Sequence, residues 1–272
     1  MFFRSHKSHS KSTPADSHSH SHYFSDELHA RAAAPSQPAA RREAGDATGP
    51  IHGFLERSTT VLFPFLFIPA LLSSYQRLAE AGAEWLSIPG ALFGLIFGDL
   101  VTGLVHWAAD TYGHEHTPVI GRSLVKPFRV HHDRPQEICE HGLIETVGNT
   151  CILAAPLLAM LLALAAWGGY SAAAAFVVFV SVVTVGVTVA TNQFHKWAHQ
   201  AAPPRLVRAL QRSRIILHPE HHRAHHTAPF ESSYAITNGW LNPLLNRTGF
   251  FRRLEGALRT FGIEPSAVGR SN

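Results

Sequence analysis

Histidines stand at positions 218, 221, 222, 225 and 226 in the stretch LHPEHHRAHHTAPF. An imidazole is a neutral nitrogen donor near pH 7, so metal binding is the first chemistry this stretch suggests. Other histidines have similar company. His106 lies four residues before Asp110 in HWAAD, His131 and His132 are adjacent in FRVHHDRP, His141 follows in CEHGLIET, and His195 and His199 are four apart in QFHKWAH. On a helix, residues i and i+4 share a face, so each such pair offers two side chains to one point. A set of neutral imidazoles can hold two divalent ions with few carboxylates. A single catalytic zinc takes only about three protein ligands, which would leave much of the set without a role. The repeated pairs therefore favour a dinuclear site over a zinc hydrolase, a metal transporter or a purely structural cluster.

Some neighbours read differently. Asp110 is expected to orient a histidine rather than to hold metal itself, and Glu145 to do the same. His218 precedes Pro219, which disfavours a helical backbone at His218, so the helix carrying the last histidines should start at or after Pro219. His114 and His116, in TYGHEHTP, read as solvent-facing loop residues.

These side chains must be positioned by mostly apolar elements. Charged residues make up 15% of the 272-residue chain, against about 25% in ordinary soluble proteins. From Val147 to Phe194 not one Asp, Glu, Lys or Arg occurs. A membrane crossing needs about 20 largely apolar residues, and four candidates are visible. They are STTVLFPFLFIPALLSSY from Ser58, WLSIPGALFGLIFGDLVTGLVHWAAD from Trp85, NTCILAAPLLAMLLALAAW and SAAAAFVVFVSVVTVGVTVATNQF, with Gly168 and Gly169 between the last two. Pro64, Pro69 and Pro89 are more at home in membrane spans than in soluble helices. The expected fold is thus an all-α, multi-pass integral membrane protein with about four transmembrane helices and a histidine-rich helical cap. A soluble buried hairpin is the alternative, and it lacks enough polar surface to cover the apolar segments.

Four crossings bring both chain ends and the segment from Asp110 to Glu145 to one face, where Arg122, Lys126, Arg129, Arg134, Lys196, Arg205, Arg208, Arg212 and Arg214 also lie. The positive-inside rule makes that face cytoplasmic. Trp107, Trp197 and Trp240 read as anchors at the membrane boundary. Residues 1–57, rich in Ser, His, Ala and Pro, cannot bury enough surface to offset ordering and read as a disordered tail. Residues 58–262 form the membrane domain and residues 263–272 a short carboxy-terminal tail. The formal charge of +4 is modest, and the basic residues do not gather around exposed aromatics, which argues against nucleic-acid binding. The two cysteines, Cys139 and Cys151, form no Cys-x-x-Cys pair, so iron–sulfur, zinc-knuckle and dithiol chemistry are excluded.

Taken in order, GLVHWAADTYG, KPFRVHHDRP, HGLIETVGN, TNQFHKWAH, PEHHRAHHTAPF and YAITNGWLNPLL resemble the lipid desaturase family. That family includes plasmanylethanolamine desaturase, which makes the vinyl ether of plasmalogens, and the plant plastid enzyme that places a trans double bond near the carboxyl end of palmitate. The resemblance covers about residues 90 to 260. It implies metal-holding histidines at His106, His131, His132, His141, His195, His199, His222, His225 and His226, with His221 and Asp110 completing the catalytic set. It also implies two iron ions, dioxygen as co-substrate, and a membrane phospholipid or acyl lipid as substrate. The favoured substrate is a 1-O-alkyl ether phospholipid, with an acyl-lipid desaturase or hydroxylase of the same metal class as the alternative. No flavin, nicotinamide or cysteine motif is present, so the electrons would come from a separate protein of the cytochrome b5 or ferredoxin type. ETVGNT stands where the animal ether-lipid enzymes carry ETNGDN. Val147 and Asn149 thus replace Asn and Asp, a change that bears on the lipid rather than on the metal residues.

Overall fold

The computed structural model describes residues 49–118, 120–167 and 171–266. Residues 1–48 of the expected tail, the Gly168-Gly169 turn and residues 267–272 lie outside these. The chain is already helical at Gly49: α1 runs Gly49–Glu80, well ahead of the expected start at Ser58. The reason is tertiary. The His52 Nε2–H donates to Asn149 Oδ1 at 2.8 Å, His52 lies 3.4 Å from Glu56, and Glu56 packs against Gly148. The polar first turns of α1 therefore have partners on another helix that local composition does not reveal.

A 3-10 turn, Glu84–Leu86, leads into α2 (Ser87–Thr111). A π-helical turn, Gly121–Val125, leads into α3 (Lys126–Asp133). Then come α4 (Leu143–Trp167), α5 (Ala172–His199), α6 (Arg205–Arg212), α7 (Pro219–His225), α8 (Asn242–Thr248) and α9 (Phe250–Thr260). No strand occurs among the described residues. Four helical stretches, those of α1, α2 with its leading turn, α4 and α5, are long and apolar enough to cross a membrane. With 32 residues, α1 is roughly 48 Å long, long enough to cross a bilayer despite Pro64 and Pro69. Val61, Phe65, Ile68 and Leu72 on α1, and Leu153, Leu157, Met160 and Leu164 on α4, face outward, as lipid contact requires.

Within the bundle α1 packs on α4 and α5, and α2 packs on α5. The α2–α5 seam is close because small residues line it. A Cβ added at Gly90, Gly94 or Gly98 would lie 2.9 Å from Phe179, 2.5 Å from Val183 and 2.8 Å from Val187, respectively. This is the small-xxx-small pattern by which membrane helices approach without a hydrophobic driving force. The pairing continues in steps of one turn. Thr102 and Thr191 both hydrogen-bond the Thr237 hydroxyl, at 3.2 and 2.7 Å, and His106 and His195 follow with ring centroids 6.2 Å apart. The glycine stripe thus sets the register in which two histidines from distant parts of the sequence meet.

At the far end of the bundle, Arg77 of α1 donates to the carbonyls of Ala165 and Ala166 at 2.7 and 3.3 Å. It satisfies orphan acceptors at the carboxy-terminal end of α4 and complements the helix dipole there. At the histidine end, Trp107, Tyr234, Leu245 and Phe251 form a buried cluster that docks α8 and α9 onto the end of α2. Trp107 is therefore a core residue at 5% exposure, not the boundary anchor its position suggested; Trp240 remains exposed.

Candidate metal centre

Four helices deliver nine potential donor side chains. They separate into two groups, within each of which the donor atoms all lie within 4.8 Å of one another: His131, His195, His199, His222 and His226; and His106, Asp110, His132 and His225. The adjacent pairs explain the division. Successive helical residues point about 100° apart, so His131 and His132 of α3 feed different groups, and His225 and His226 at the end of α7 do the same. The two groups consequently share two helices and lie side by side. Across the groups, the His132 and His226 ring centroids are 5.2 Å apart and those of His225 and His226 are 5.4 Å apart.

In the five-donor group, His222 Nε2 lies 2.8 Å from His195 Nε2, 2.7 Å from His199 Nε2 and 3.0 Å from His226 Nε2. A neutral imidazole has one ring proton, so hydrogen bonding alone cannot satisfy one nitrogen crowded by three others of its kind. Convergent nitrogen lone pairs suit a cation. In the four-donor group, Asp110 Oδ2 is 3.0 Å from His132 Nε2, 3.4 Å from His106 Nε2 and 3.6 Å from His225 Nε2. Here His106 Nε2 and Asp110 Oδ1 are buried with no hydrogen-bond partner. Such orphaned polar atoms are costly unless something else engages them, and a bound cation would.

Protonation and tautomer fit the same purpose. Burial, followed by the nearby His199, holds the His131 imidazolium well below the usual histidine range; burial and the neighbouring His195 do the same for His222. Burial, then His132, takes His225 down to about 3, and burial, then His199, takes His226 down to about 2. These rings are neutral near pH 7 and ready to act as nitrogen donors. In the four-donor group two tautomers are fixed as well. The His106 Nδ1–H donates to the Tyr234 carbonyl at 3.1 Å and the His225 Nδ1–H to the Ser232 carbonyl at 2.9 Å, leaving each Nε2 bare toward Asp110. Backbone partners of this kind orient ligands and raise their basicity. Phe128 covers His106, with centroids 4.9 Å apart, and Phe230 covers His132 at 5.4 Å, so aromatic rings close off part of the four-donor group.

The helix carrying the last histidines begins at Pro219, and His218 acts as its N-cap, accepting from the Glu220 N–H at 3.3 Å. His114 and His116 are exposed, outside both groups. The other residues of the expected site are placed differently from the donors. His141 belongs to neither group: it follows a 3-10 turn in extended conformation, and its backbone carbonyl, not its ring, is engaged, by the Lys196 ammonium. His221 also stands apart, because on α7 it points away from His222 and His225; its Nε2 accepts from Arg214 at 2.9 Å. Asp110 lies inside a donor group rather than behind one. Glu145 is exposed, and its Oε2 accepts from the Gly142 N–H at 3.2 Å at the start of α4. The carbonyls of Ser232 and Tyr234, in a segment without helix or strand, hold the rings of His225 and His106.

Comparison with known proteins accords with this arrangement. The chain is 42% identical over 172 residues to "Plasmanylethanolamine desaturase" of Myxococcus xanthus, covering 63% of this chain and 60% of that protein. It is 37% identical over 237 residues to "Plasmanylethanolamine desaturase 1" of Mus musculus, covering 85% and 87%. A third relative, "Fatty acid desaturase 4-like 1, chloroplastic" of Arabidopsis thaliana, is 30% identical over 188 residues, covering 66% and 59%. No solved structure matches the chain. The lipid desaturase domain matches residues 95–268, a stretch that contains all nine donors of the two groups, and the chain belongs to the lipid desaturase family.

Proposed function

We propose that this protein desaturates a chain of a membrane lipid, converting a 1-O-alkyl (plasmanyl) phospholipid into its vinyl-ether (plasmenyl) form, with two irons, dioxygen and two electrons from a separate carrier. The observation that carries the reading is the paired donor groups, nine side chains with eight imidazoles and one carboxylate, sharing the adjacent histidines of α3 and α7. His131, His195, His199, His222 and His226 would hold one metal, and His106, Asp110, His132 and His225 the other. Bound iron supplies the oxidising power toward unactivated C–H bonds that no amino-acid side chain has. Overall, one dioxygen, two electrons and two protons remove one hydrogen from each of two adjacent CH2 groups, giving an alkene and two waters.

The chain's own residues contribute orientation and exclusion of water. Carbonyls of Ser232 and Tyr234 fix the rings of His225 and His106, and Phe128 and Phe230 shield the donors. His106 and His195 lie at the ends of candidate spans, so a lipid chain could reach them from the bilayer. The basic face around them is taken as cytoplasmic, where a cytochrome b5 or ferredoxin-type donor would dock. The names of the bacterial and mouse relatives favour the ether lipid; that of the chloroplastic relative favours an acyl chain as the alternative.

The test is metal analysis of the purified protein combined with lipid profiles of cells that lack or express it. Two irons per chain with oxygen-dependent vinyl-ether lipid is the expected result. Trans-unsaturated acyl lipid would select the alternative, and one zinc with lipid hydrolysis would overturn the reading.

A further inference from the structure

Asp99 sits within the second membrane span, fully buried. A carboxylate there is expensive unless it is fully partnered. Its partners are four backbone amides of one irregular segment: Oδ1 accepts from the N–H groups of Thr237, Asn238 and Gly239 at 3.1, 3.1 and 3.0 Å, and Oδ2 from that of Leu241 at 3.1 Å. Residues 233–239 of this segment are all buried, yet they form no helix or strand. Buried backbone groups without a ladder need fixed partners. Asn242 supplies two, accepting from the Ala235 N–H at 3.0 Å and donating to its carbonyl at 2.8 Å, and Asn246 accepts from the Ser233 N–H at 3.1 Å. The segment also presses closely on α2: a Cβ at Gly103 would lie 3.2 Å from the Ala235 backbone. The same segment presents the carbonyls of Ser232 and Tyr234 to His225 and His106. Both histidines belong to the four-donor group, and neither to the five-donor group.

We propose that Asp99 is a positioning residue for the four-donor group alone: through the segment from Thr237 to Leu241 it holds the two carbonyls that set the rings of His106 and His225. The inference rests on the reading that both groups hold metal. Asp99 touches no donor itself. Its effect passes along the backbone, so its loss should loosen one metal and spare the other, because the five-donor histidines are held by α3, α5 and α7.

The test is D99N. The asparagine Oδ1 can still accept, but its Nδ2 hydrogens would face the Leu241 N–H, opposing donor to donor. Iron per chain in the purified protein should fall from two to one, and amide hydrogen exchange over residues 237–241 should quicken on the order of tenfold, the scale of losing a hydrogen bond to a charged group. Adding H199A to D99N should remove the remaining iron. G103A presses on the same segment without altering the carboxylate, and it should give the same selective loss if D99N proves too unstable to purify. Two irons retained by D99N, or by G103A in its place, or loss of both metals together from a chain with intact helices, would overturn the proposal. If the unaltered chain holds no iron, the metal reading itself fails; the exchange rates of residues 237–241 then still decide whether Asp99 holds the segment.

Discussion

Gly94→Ala tests whether helix packing, and not only the donor residues, sets the site. The added Cβ would lie 2.5 Å from Val183 Cγ1, 2.6 Å from Val183 Cβ and 3.3 Å from the Thr184 backbone nitrogen. Carbon atoms rest about 3.5–4.0 Å apart, so α2 and α5 must part locally by about 1 Å or Val183 must be forced from its place. A β-branched side chain cannot easily rotate away, and the backbone of Thr184 cannot withdraw independently. Overpacking of this kind costs about 1–3 kcal/mol. The functional cost comes from the seam: His106 lies roughly 18 Å along α2 from Gly94, on the same stripe that faces His195. A displacement near 1 Å between groups that must act together can cost about 100-fold in rate. The assay pairs the thermal midpoint in detergent with lipid turnover at matched protein. Expected are a midpoint lower by several degrees, at about 2–4 °C per kcal/mol, and turnover reduced by ten- to a hundredfold, on the order of the misplacement estimate. Gly256→Ala is the control, since nothing lies within 4 Å of its added Cβ; it should be neutral or gain up to about 1 kcal/mol of helix propensity. If Gly94→Ala matched the unaltered protein in both measurements, the seam would not be what positions the histidines.

His222→Ala, which removes the nitrogen contacted by three others, should abolish product and lower bound iron toward one or zero per chain, whereas His114→Ala should leave both unchanged; metal analysis and product assay read the two together. Removing residues 1–48 should leave iron and turnover near the intact level once expression is matched. Removing residues 1–57 should lower the thermal midpoint, because it also deletes His52 and Glu56, which contact Asn149 and Gly148. In cysteine-free protein, single cysteines at Ser21 and Ser271 should label from the cytoplasm and one at Gly168 from the opposite side; the reverse pattern would invert the assigned orientation.

The sequence alone was enough to mark four stretches long and apolar enough to cross a membrane and most of the histidines that converge in the two groups, because each is written in local order. Long charge-free runs have only one comfortable solvent, and a histidine four residues from another shares its helical face whatever surrounds the helix. Pro219 likewise marked the start of α7 through a restriction on a single backbone angle. The glycine stripe of α2 and Asp99 within that helix went unread in the sequence, although the spacing of Gly90, Gly94 and Gly98 and a charge in apolar surroundings are signals that mark them; their partners are set by tertiary structure. Tertiary structure decided the assignments. His131 and His132, adjacent in the chain, serve different groups because of how α3 is rotated against α5 and α7. His141 and His221 fall outside because an extended turn and the far face of α7 turn them elsewhere. Asp110 enters a group because α2, α3 and α7 converge around its carboxylate. An irregular segment with no periodicity, Ser232 to Leu241, holds two donor rings because Asp99, far away in sequence, satisfies its amides. Spacing fixes what one helix can present, while the meeting of several helices and a loop depends on rotations and close approaches that no single stretch of sequence contains.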